Sequence, residues 1–276
     1  METFDAAWLV LREPIDQRSR AQQLLQPLCE AWRRRGWSRV LDLGSGTGAN
    51  LRYLAPRLPF GQAWVLLDHD PAHVEVLGKL LRPVSVTGLT VLAGNVAEEG
   101  LVAVQGADLV TASAMLDLVS EVWLRRIVDG CASDGRGAYF ALSYNGDIEW
   151  SPANHRERSA ETEADDAFVR TAVNMHQLRN KGLGPSLGPT AGRTAEKLFE
   201  ANGYQTSLVS SPWRLASSDM PVVDRLIEGW AAAAAEVHPD KAARVRAWAD
   251  RRQEDVACDR VILTVGHCDL LALPPD

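Results

Sequence analysis

The chain has 276 residues, 46% of them hydrophobic and 24% charged, with 21 Gly and 14 Pro; this ordinary globular composition excludes wholesale disorder and collagen-like repeats. Lys and Arg total 29 against 36 Asp and Glu, so the formal charge is −7, which repels a polyanion and makes nucleic acid a disfavoured partner outside a local basic patch. The longest apolar stretches, residues 230–237 and 261–273, are broken by Glu236 and by His267 and Asp269, short of the ~20 residues a bilayer span needs, so no membrane partner is expected.

The first residues, METFDAAWLVLREP, are acidic before they are apolar and lack a basic segment, so no secretory signal is expected. Cys29, Cys131, Cys258 and Cys268 lie far apart without a CxxC pair, and no HxH or clustered Cys/His pattern occurs. Neither a disulfide framework nor a metal site is expected, and a cytoplasmic location follows.

Between residues 14 and 35, Ala21, Leu24, Leu25, Leu28 and Trp32 follow helical spacing, with Pro14 suited to a first turn. Residues 38–43 (SRVLDL) read as a buried strand that runs straight into GSGTGAN, after which Leu51, Leu54 and Ala55 resume helical spacing. Residues 63–68 (AWVLLD) are a second strand, and Asp70-Pro71 caps a helix carrying Val74, Leu77 and Leu81. Third and fourth strands follow at 89–94 (LTVLAG) and 108–112 (DLVTA). Ser120 caps a helix whose buried face is Trp123, Leu124, Ile127 and Val128, and 137–143 (GAYFALS) is a fifth strand. Strands alternating with helices at this rhythm predict an α/β fold, a parallel sheet covered on both faces.

The rhythm then breaks. Residues 147–166 are polar and acidic, 167–181 are helical, and 182–190 (GLGPSLGPT) form a loop. Helical spacing returns at Ala191, Ala195, Leu198 and Phe199 and is ended by Gly203. Residues 204–210 (YQTSLVS) are a sixth strand, 212–256 are mostly helical, and 261–265 (VILTV) are a last strand. The expected organisation is one domain with a helical leader (1–37), a lid-like insertion (147–189) and a helical insertion (212–257) between the last two strands. The insertions leave from strand ends, where doubly wound sheets bind ligands.

The segment Asp42-Leu43-Gly44-Ser45-Gly46-Thr47-Gly48 joins a strand to a helix, and Asp68 follows about twenty residues on at a strand end. Glycines let backbone N–H groups approach a ligand, and an acidic residue at that distance can accept from both ribose hydroxyls. Gly44-Gly46-Ala49 also passes as the relaxed dinucleotide pattern GxGxxA, which keeps an NAD-dependent oxidoreductase as the alternative. Asp42, two positions before the first glycine, repels a diphosphate and suits the ammonium of an amino-acid moiety.

VLDLGSGTGAN resembles motif I of the class I S-adenosylmethionine-dependent methyltransferases, and the likeness runs through the strands of residues 38–143. The resemblance implies a Rossmann-like, doubly wound, mostly parallel seven-stranded sheet with an antiparallel last strand. It implies S-adenosyl-L-methionine as cofactor, held by Asp42, Gly44, Ser45, Gly46, Thr47, Gly48 and Asn50 at its methionine end. Asp68 and His69 would serve the ribose, Asn95 and Val96 the adenine, and Ser113 and Ala114 would sit by the sulfonium. Asn95 departs from the Asp frequent at that point. LREPIDQRSR is similar to a leader whose arginine reaches the cofactor carboxylate, a role for Arg20 or Arg12.

The implied activity moves a methyl group to an O, N, S or C nucleophile of a small molecule by in-line displacement. A catalytically silent binding subunit on the same fold is the non-enzymatic reading. Asp117, Tyr144, Asn145, Asn174 and His176 are the expected substrate residues, with His176 and Tyr144 the candidates for acid–base work. The cluster of Asn174, His176, Gln177, Arg179 and Lys181 beside the Gly/Pro loop reads equally as a solvated helix face. His155, His238 and His267 are isolated, and Trp213 and Trp230 read as packing residues.

Overall fold

The computed structural model describes residues 5–80, 85–153 and 159–275; Leu81 and His155 lie outside them. The chain opens with helices α1 (Ala6–Ser19) and α2 (Leu25–Arg35), then strand β1 (Arg39–Leu43), α3 (Ala49–Leu54), β2 (Ala63–Asp68), α4 (Pro71–Leu80) and β3 (Gly88–Ala93). It continues through α5 (Glu99–Ala103), β4 (Leu109–Ser113), α6 (Glu121–Ala132) and β5 (Gly137–Pro152). After α7 (Ala160–Gln177) come α8 (Ala191–Ala201), β6 (Gln205–Ser210), β7 (Trp213–Leu215), α9 (Met220–Val237), α10 (Ala242–Ala257) and β8 (Val261–Leu273).

The strand order is β3-β2-β1-β4-β5-β8-β6, with β7 also paired to β8. β1 to β5 run parallel, and β8 is antiparallel to β5, β6 and β7. This is a Rossmann-like doubly wound sheet of eight strands, not seven. The added strand is β7, whose three residues are too short to show an alternating pattern. Apolar side chains alternate between the two faces: Val40, Leu66 and Leu109 join one core, Leu41, Leu43 and Val110 the other. The first core holds α2 and α3 residues such as Leu28 and Leu51; the second holds α6 and α8 residues such as Ile127 and Phe199.

The leader differs from its expected form. Asp5, not the Pro14 region, starts α1 by accepting from Ala7 N–H at 3.0 Å, and Pro14 lies inside the helix. The helix ends at Ser19 because the next backbone is captured elsewhere: Ala21 N–H donates to Asp269 Oδ2 at 3.0 Å.

β5 and β8 are also longer than the strands expected at 137–143 and 261–265. β5 continues to Pro152 across a bulge, with register shifts after Phe140 and after Tyr144. Leu142 sits there at φ +54°, and its N–H donates to Asp269 Oδ1 at 2.8 Å. Beyond the bulge Ile148 and Trp150 are buried while Asp147 and Glu149 are exposed. That half-polar alternation is a strand with one wet face, which reads in sequence as an acidic loop.

The extension carries the insertions. Trp150 meets the rings of Trp230 and Trp248 at 6.5 and 6.1 Å. Asp165 on α7 accepts from Arg244 and Arg251 on α10 at 2.7 and 2.6 Å, and Asp166 pairs with the buried Arg252. Residues from both insertions therefore form one helical layer, and α7 cannot swing alone without breaking these pairs.

Asp269, fully buried, also accepts from Ser211 Oγ (2.7 Å) and Tyr139 OH (3.4 Å) and pairs with Arg20. Removing one partner of a buried, hydrogen-bonded ion pair costs about 3–5 kcal/mol. Asp269→Ala is expected to lower unfolding free energy by about that much, read from urea denaturation; an unchanged midpoint would show that Asp269 does not hold these segments.

Candidate functional site

β1 ends at the glycine-rich turn, where Gly44, Gly46 and Gly48 take φ of +62°, +53° and +82°. These values suit glycine, and space adds a second demand. A Cβ on Gly48 would come within 2.3 Å of Leu77 Cδ1, so α3 and α4 approach as they do only with glycine there. The turn borders a cleft of about 780 Å³ at the carboxyl ends of β1, β2 and β4.

Asp42 is at the floor of this cleft. Its Oδ1 accepts from Asn50 Nδ2 at 2.7 Å and Thr111 Oγ1 at 2.8 Å, while Oδ2 is buried and receives no hydrogen bond from the described residues. Burial pushes its carboxyl up to about 6, against the opposing pull of those two donors. The hydroxyls of Ser45 and Thr47, which line the same cleft, are likewise buried without a partner. Unsatisfied buried polar groups are costly and rare, so three at one turn mark a place prepared for a ligand.

Asn50 is held in turn by Arg20, whose Nη2 donates to its Oδ1 at 3.0 Å. The Arg20 guanidinium lies over the rings of Tyr53 (4.5 Å) and Tyr139 (5.2 Å), behind the cleft wall. Arg20 therefore acts on Asp42 through Asn50, and Arg12 is the arginine that lines the cleft. Arg12 is paired with Asp16, Nε to Oδ2 at 2.9 Å.

Asp68 lines the cleft at the end of β2 and is already engaged. Its Oδ2 accepts from Gly46 N–H at 2.7 Å, and its Oδ1 accepts from Asp70 N–H at 2.9 Å and contacts His73 Nδ1 at 3.1 Å. A carboxylate has about four acceptor positions, so room for ligand hydroxyls remains. His69 lines the cleft with neither ring nitrogen hydrogen-bonded. Ser113 and Ala114 line it too, Ala114 at φ +51°.

The structure does not bring Asn95 or Val96 to the cleft. Asn95 is exposed, its Oδ1 turned back on Ala97 N–H at 2.9 Å. Val96 is fully buried in the core under α6, its carbonyl accepting from Trp123 Nε1 at 2.9 Å.

A second pocket of about 660 Å³ adjoins the first, and Arg12, Ala114 and Leu118 line both. Its walls include Asp117, Tyr144, Gln177, Trp213, Trp230 and His267. Asp117 is there as expected, buried and pushed up to about 6 by that burial. Tyr144 is there as well, but its hydroxyl donates to Asn174 Oδ1 at 2.8 Å. Burial, together with the nearby Asp117 and Asp147, raises its phenol far above neutrality. It keeps its proton and does not serve as a base. Asn174 stands behind it, with Nδ2 donating to Gly146 O at 3.0 Å.

Two expected residues are elsewhere. His176 contacts Glu236 Oε2 on α9 through Nε2 at 3.3 Å, and its neighbour Gln177 lines the pocket instead. Adjacent helical positions face about 100° apart, enough to exchange pocket for layer contact. Asn145 turns its Oδ1 to Asp147 N–H at 3.1 Å and covers Gly266.

His267 is a pocket residue the sequence left isolated. Its Nδ1 donates to Val265 O at 3.0 Å, and its ring lies 5.0 Å from that of Trp213. Burial, and then Arg12, pull its pKa down to about 3, so the ring is neutral and Nε2 is an acceptor. The signal was Val265 and His267 two apart on a strand, both on one face. Among the described residues no group of three or more His, Cys, Asp or Glu could hold a metal ion, and no helix is long and apolar enough to cross a membrane.

No protein-family model and no curated protein sequence matches the chain. Solved structures give matches at low identity. The cyclopropane synthase MmaA2 from Mycobacterium tuberculosis is 11% identical, over 86% of this chain and 78% of that one, with a TM-score of 0.40. A putative sarcosine dimethylglycine methyltransferase from Galdieria sulphuraria is 14% identical over 94% and 89%, with a TM-score of 0.39. The precorrin-6y C5,15-methyltransferase from Geobacter metallireducens is 10% identical over 86% and 80%, with a TM-score of 0.41. At this distance the chemistry rests on the site's own residues.

Asp68 ties the glycine turn to the start of α4. Asp68→Ala should speed amide hydrogen exchange at Gly46 and Asp70 by about tenfold or more, with β4 unchanged, because each amide loses a charge-assisted acceptor. Equal exchange in both proteins would show that the turn stands without it.

Proposed function

We propose that this chain is an S-adenosylmethionine-dependent methyltransferase acting on a small molecule. The observation that carries the reading is the unpartnered Oδ2 of Asp42 beneath the glycine turn, with the free hydroxyls of Ser45 and Thr47 beside it. Asp16, Asp42 and Asp68 line the cleft against a single arginine, Arg12. Such a field favours a ligand with an ammonium and a sulfonium and opposes the diphosphate of a dinucleotide. The cofactor, when bound, supplies a methyl group already activated on positive sulfur.

The remaining work falls to the chain. Asp42 would accept from the amino group of the methionine end, with Arg12 facing its carboxylate. Asp68 would offer its spare lone pairs to the ribose hydroxyls. Ala114, common to both pockets, marks where donor and acceptor meet. Holding two reactants in line is worth about 7–11 kcal/mol without any proton transfer. A dedicated base is needed only where the acceptor arrives protonated, and Tyr144, which keeps its own proton, does not fill that role. The second pocket is walled by both insertions, through Gln177 from one and Trp213 and Trp230 from the other, an enclosure suited to a small substrate.

Calorimetry tests the assignment. S-Adenosylhomocysteine is expected to bind and NAD not; the reverse would overturn the reading. The pH dependence follows from Asp42, raised to about 6. The ionised carboxylate receives the ligand's ammonium and the protonated one does not, so affinity should rise with pH through about 6 and then level. Asp42→Asn should weaken binding at least tenfold, since a charge-assisted hydrogen bond is worth about 1.5–3 kcal/mol, and should flatten the profile.

A further inference from the structure

The second pocket has a chemical preference that the cleft does not impose. Its polar lining brings together three acceptors. Asp117 is 7% exposed, and no salt bridge or side-chain hydrogen bond from the described residues reaches its carboxylate; the backbone N–H groups of Asp117 and Tyr144 face it, and the charges of Arg12 and Lys181 act on it. His267 spends its one N–H on Val265 O, which leaves Nε2 as an acceptor. Tyr144 spends its proton on Asn174, so its oxygen has only lone pairs to offer.

The donors are few. Arg12 is committed to Asp16 through Nε and Nη2, at 2.9 and 3.1 Å, and its guanidinium stacks over Trp213 at 4.8 Å. Its charge still acts on Asp117 and His267, but no salt bridge among the described residues reaches Asp117, the carboxylate of this lining. Gln177 can donate or accept, and the indole N–H groups of Trp8, Trp213 and Trp230 are neutral donors that can meet a lone pair but cannot balance an anion. Around these groups stand the indoles of Trp8, Trp213 and Trp230; Arg12 already lies over the first two, at 6.0 and 4.8 Å, which leaves the electron-rich ring of Trp230 for a ligand cation.

We propose that this pocket is an amine-binding site, which holds a protonated amine on an apolar body between the Asp117 carboxylate and the Trp230 ring. An ammonium presents two or three N–H donors to Asp117, His267 Nε2 and the Tyr144 oxygen at once. An alcohol presents one and no charge. A carboxylate or phosphate would face a buried anion of its own sign. That the amine is the methyl acceptor rests on the function proposed above, and in that role the ammonium would first give one proton to the Asp117 carboxylate, which frees the nitrogen lone pair to take the methyl group; that the pocket selects amines stands on its own lining.

The probes are 2-phenylethylamine, 2-phenylethanol and 3-phenylpropionate, three ligands of one shape with different heads. Each is titrated into the full chain at neutral pH and followed by tryptophan fluorescence, with and without saturating S-adenosylhomocysteine. The amine is expected to bind at least tenfold tighter than the alcohol, and the acid not to bind. Asp117→Asn is expected to bring the amine down to the level of the alcohol, while S-adenosylhomocysteine binds the variant as it binds the parent. An alcohol or acid bound as tightly as the amine overturns the proposal. So does an amine preference that survives in a folded Asp117→Asn protein; if that variant does not fold, the three-ligand comparison on the parent decides. Amine selectivity without any binding of S-adenosylhomocysteine would sink the methyltransferase reading and keep the amine site.

Discussion

The architecture turns on one buried carboxylate. Asp269, on the antiparallel β8, accepts hydrogen bonds from Leu142 N–H in the β5 bulge, from Ser211 between β6 and β7, and from Ala21 N–H in the leader. It also pairs with Arg20, and Arg20 holds Asn50, which holds Asp42. Burying a charge is costly, and the cost is offset here only because every oxygen is satisfied several times over. The placement of the leader, the bend of β5 and the orientation of the ligand-facing Asp42 are thus one electrostatic problem with one solution.

That solution stores strain where the two cavities join. Leu142 and Ala114 both take positive φ, +54° and +51°, in residues that pay for it sterically. Ala114 follows the carboxyl end of β4 and Leu142 sits in the bulge of the neighbouring β5, and both line the second pocket, Ala114 the cleft as well. Ala114 N–H donates to Ala141 O at 2.9 Å, which pins the two strand ends together. Such conformations persist only when the surroundings over-determine them, and the Asp269 bond to Leu142 is one of those determinants.

The insertions belong to the same logic. A plain doubly wound sheet leaves its carboxyl edge open. Here β5 and β8 run past that edge, and α7, α9 and α10 pack on the extension, clasped by Asp165 and Asp166 against three arginines. The result is an acidic cleft beside a pocket of indoles and acceptors, two cavities of different character sharing one strip of wall at Arg12, Ala114 and Leu118.

The amino-acid sequence alone determined the alternating α/β frame, because burial on both faces of a parallel strand leaves a continuous apolar run and the helices between leave a 3.6-residue period. It also determined the glycine turn and the places of Asp42, Asp68, Ser113 and Ala114, since each is tied to a strand end by local spacing. Tertiary structure alone decided the rest. The far half of β5 carries polar residues on a wet face and looks like loop until it pairs with residues 261–265 of β8. The far half of β8, broken by the buried His267 and Asp269, is a strand because the near half of β5 and β6 flank it. Whether Arg12 or Arg20 faces the cleft depended on Asp269, 249 positions from Arg20 in the chain and 3.5 Å away in space. Whether His176 or Gln177 meets the pocket depended on the rotation of α7, fixed by ion pairs with a helix some eighty residues later. Spacing along a chain encodes which face a residue shares with its neighbours; it does not encode what that face will touch.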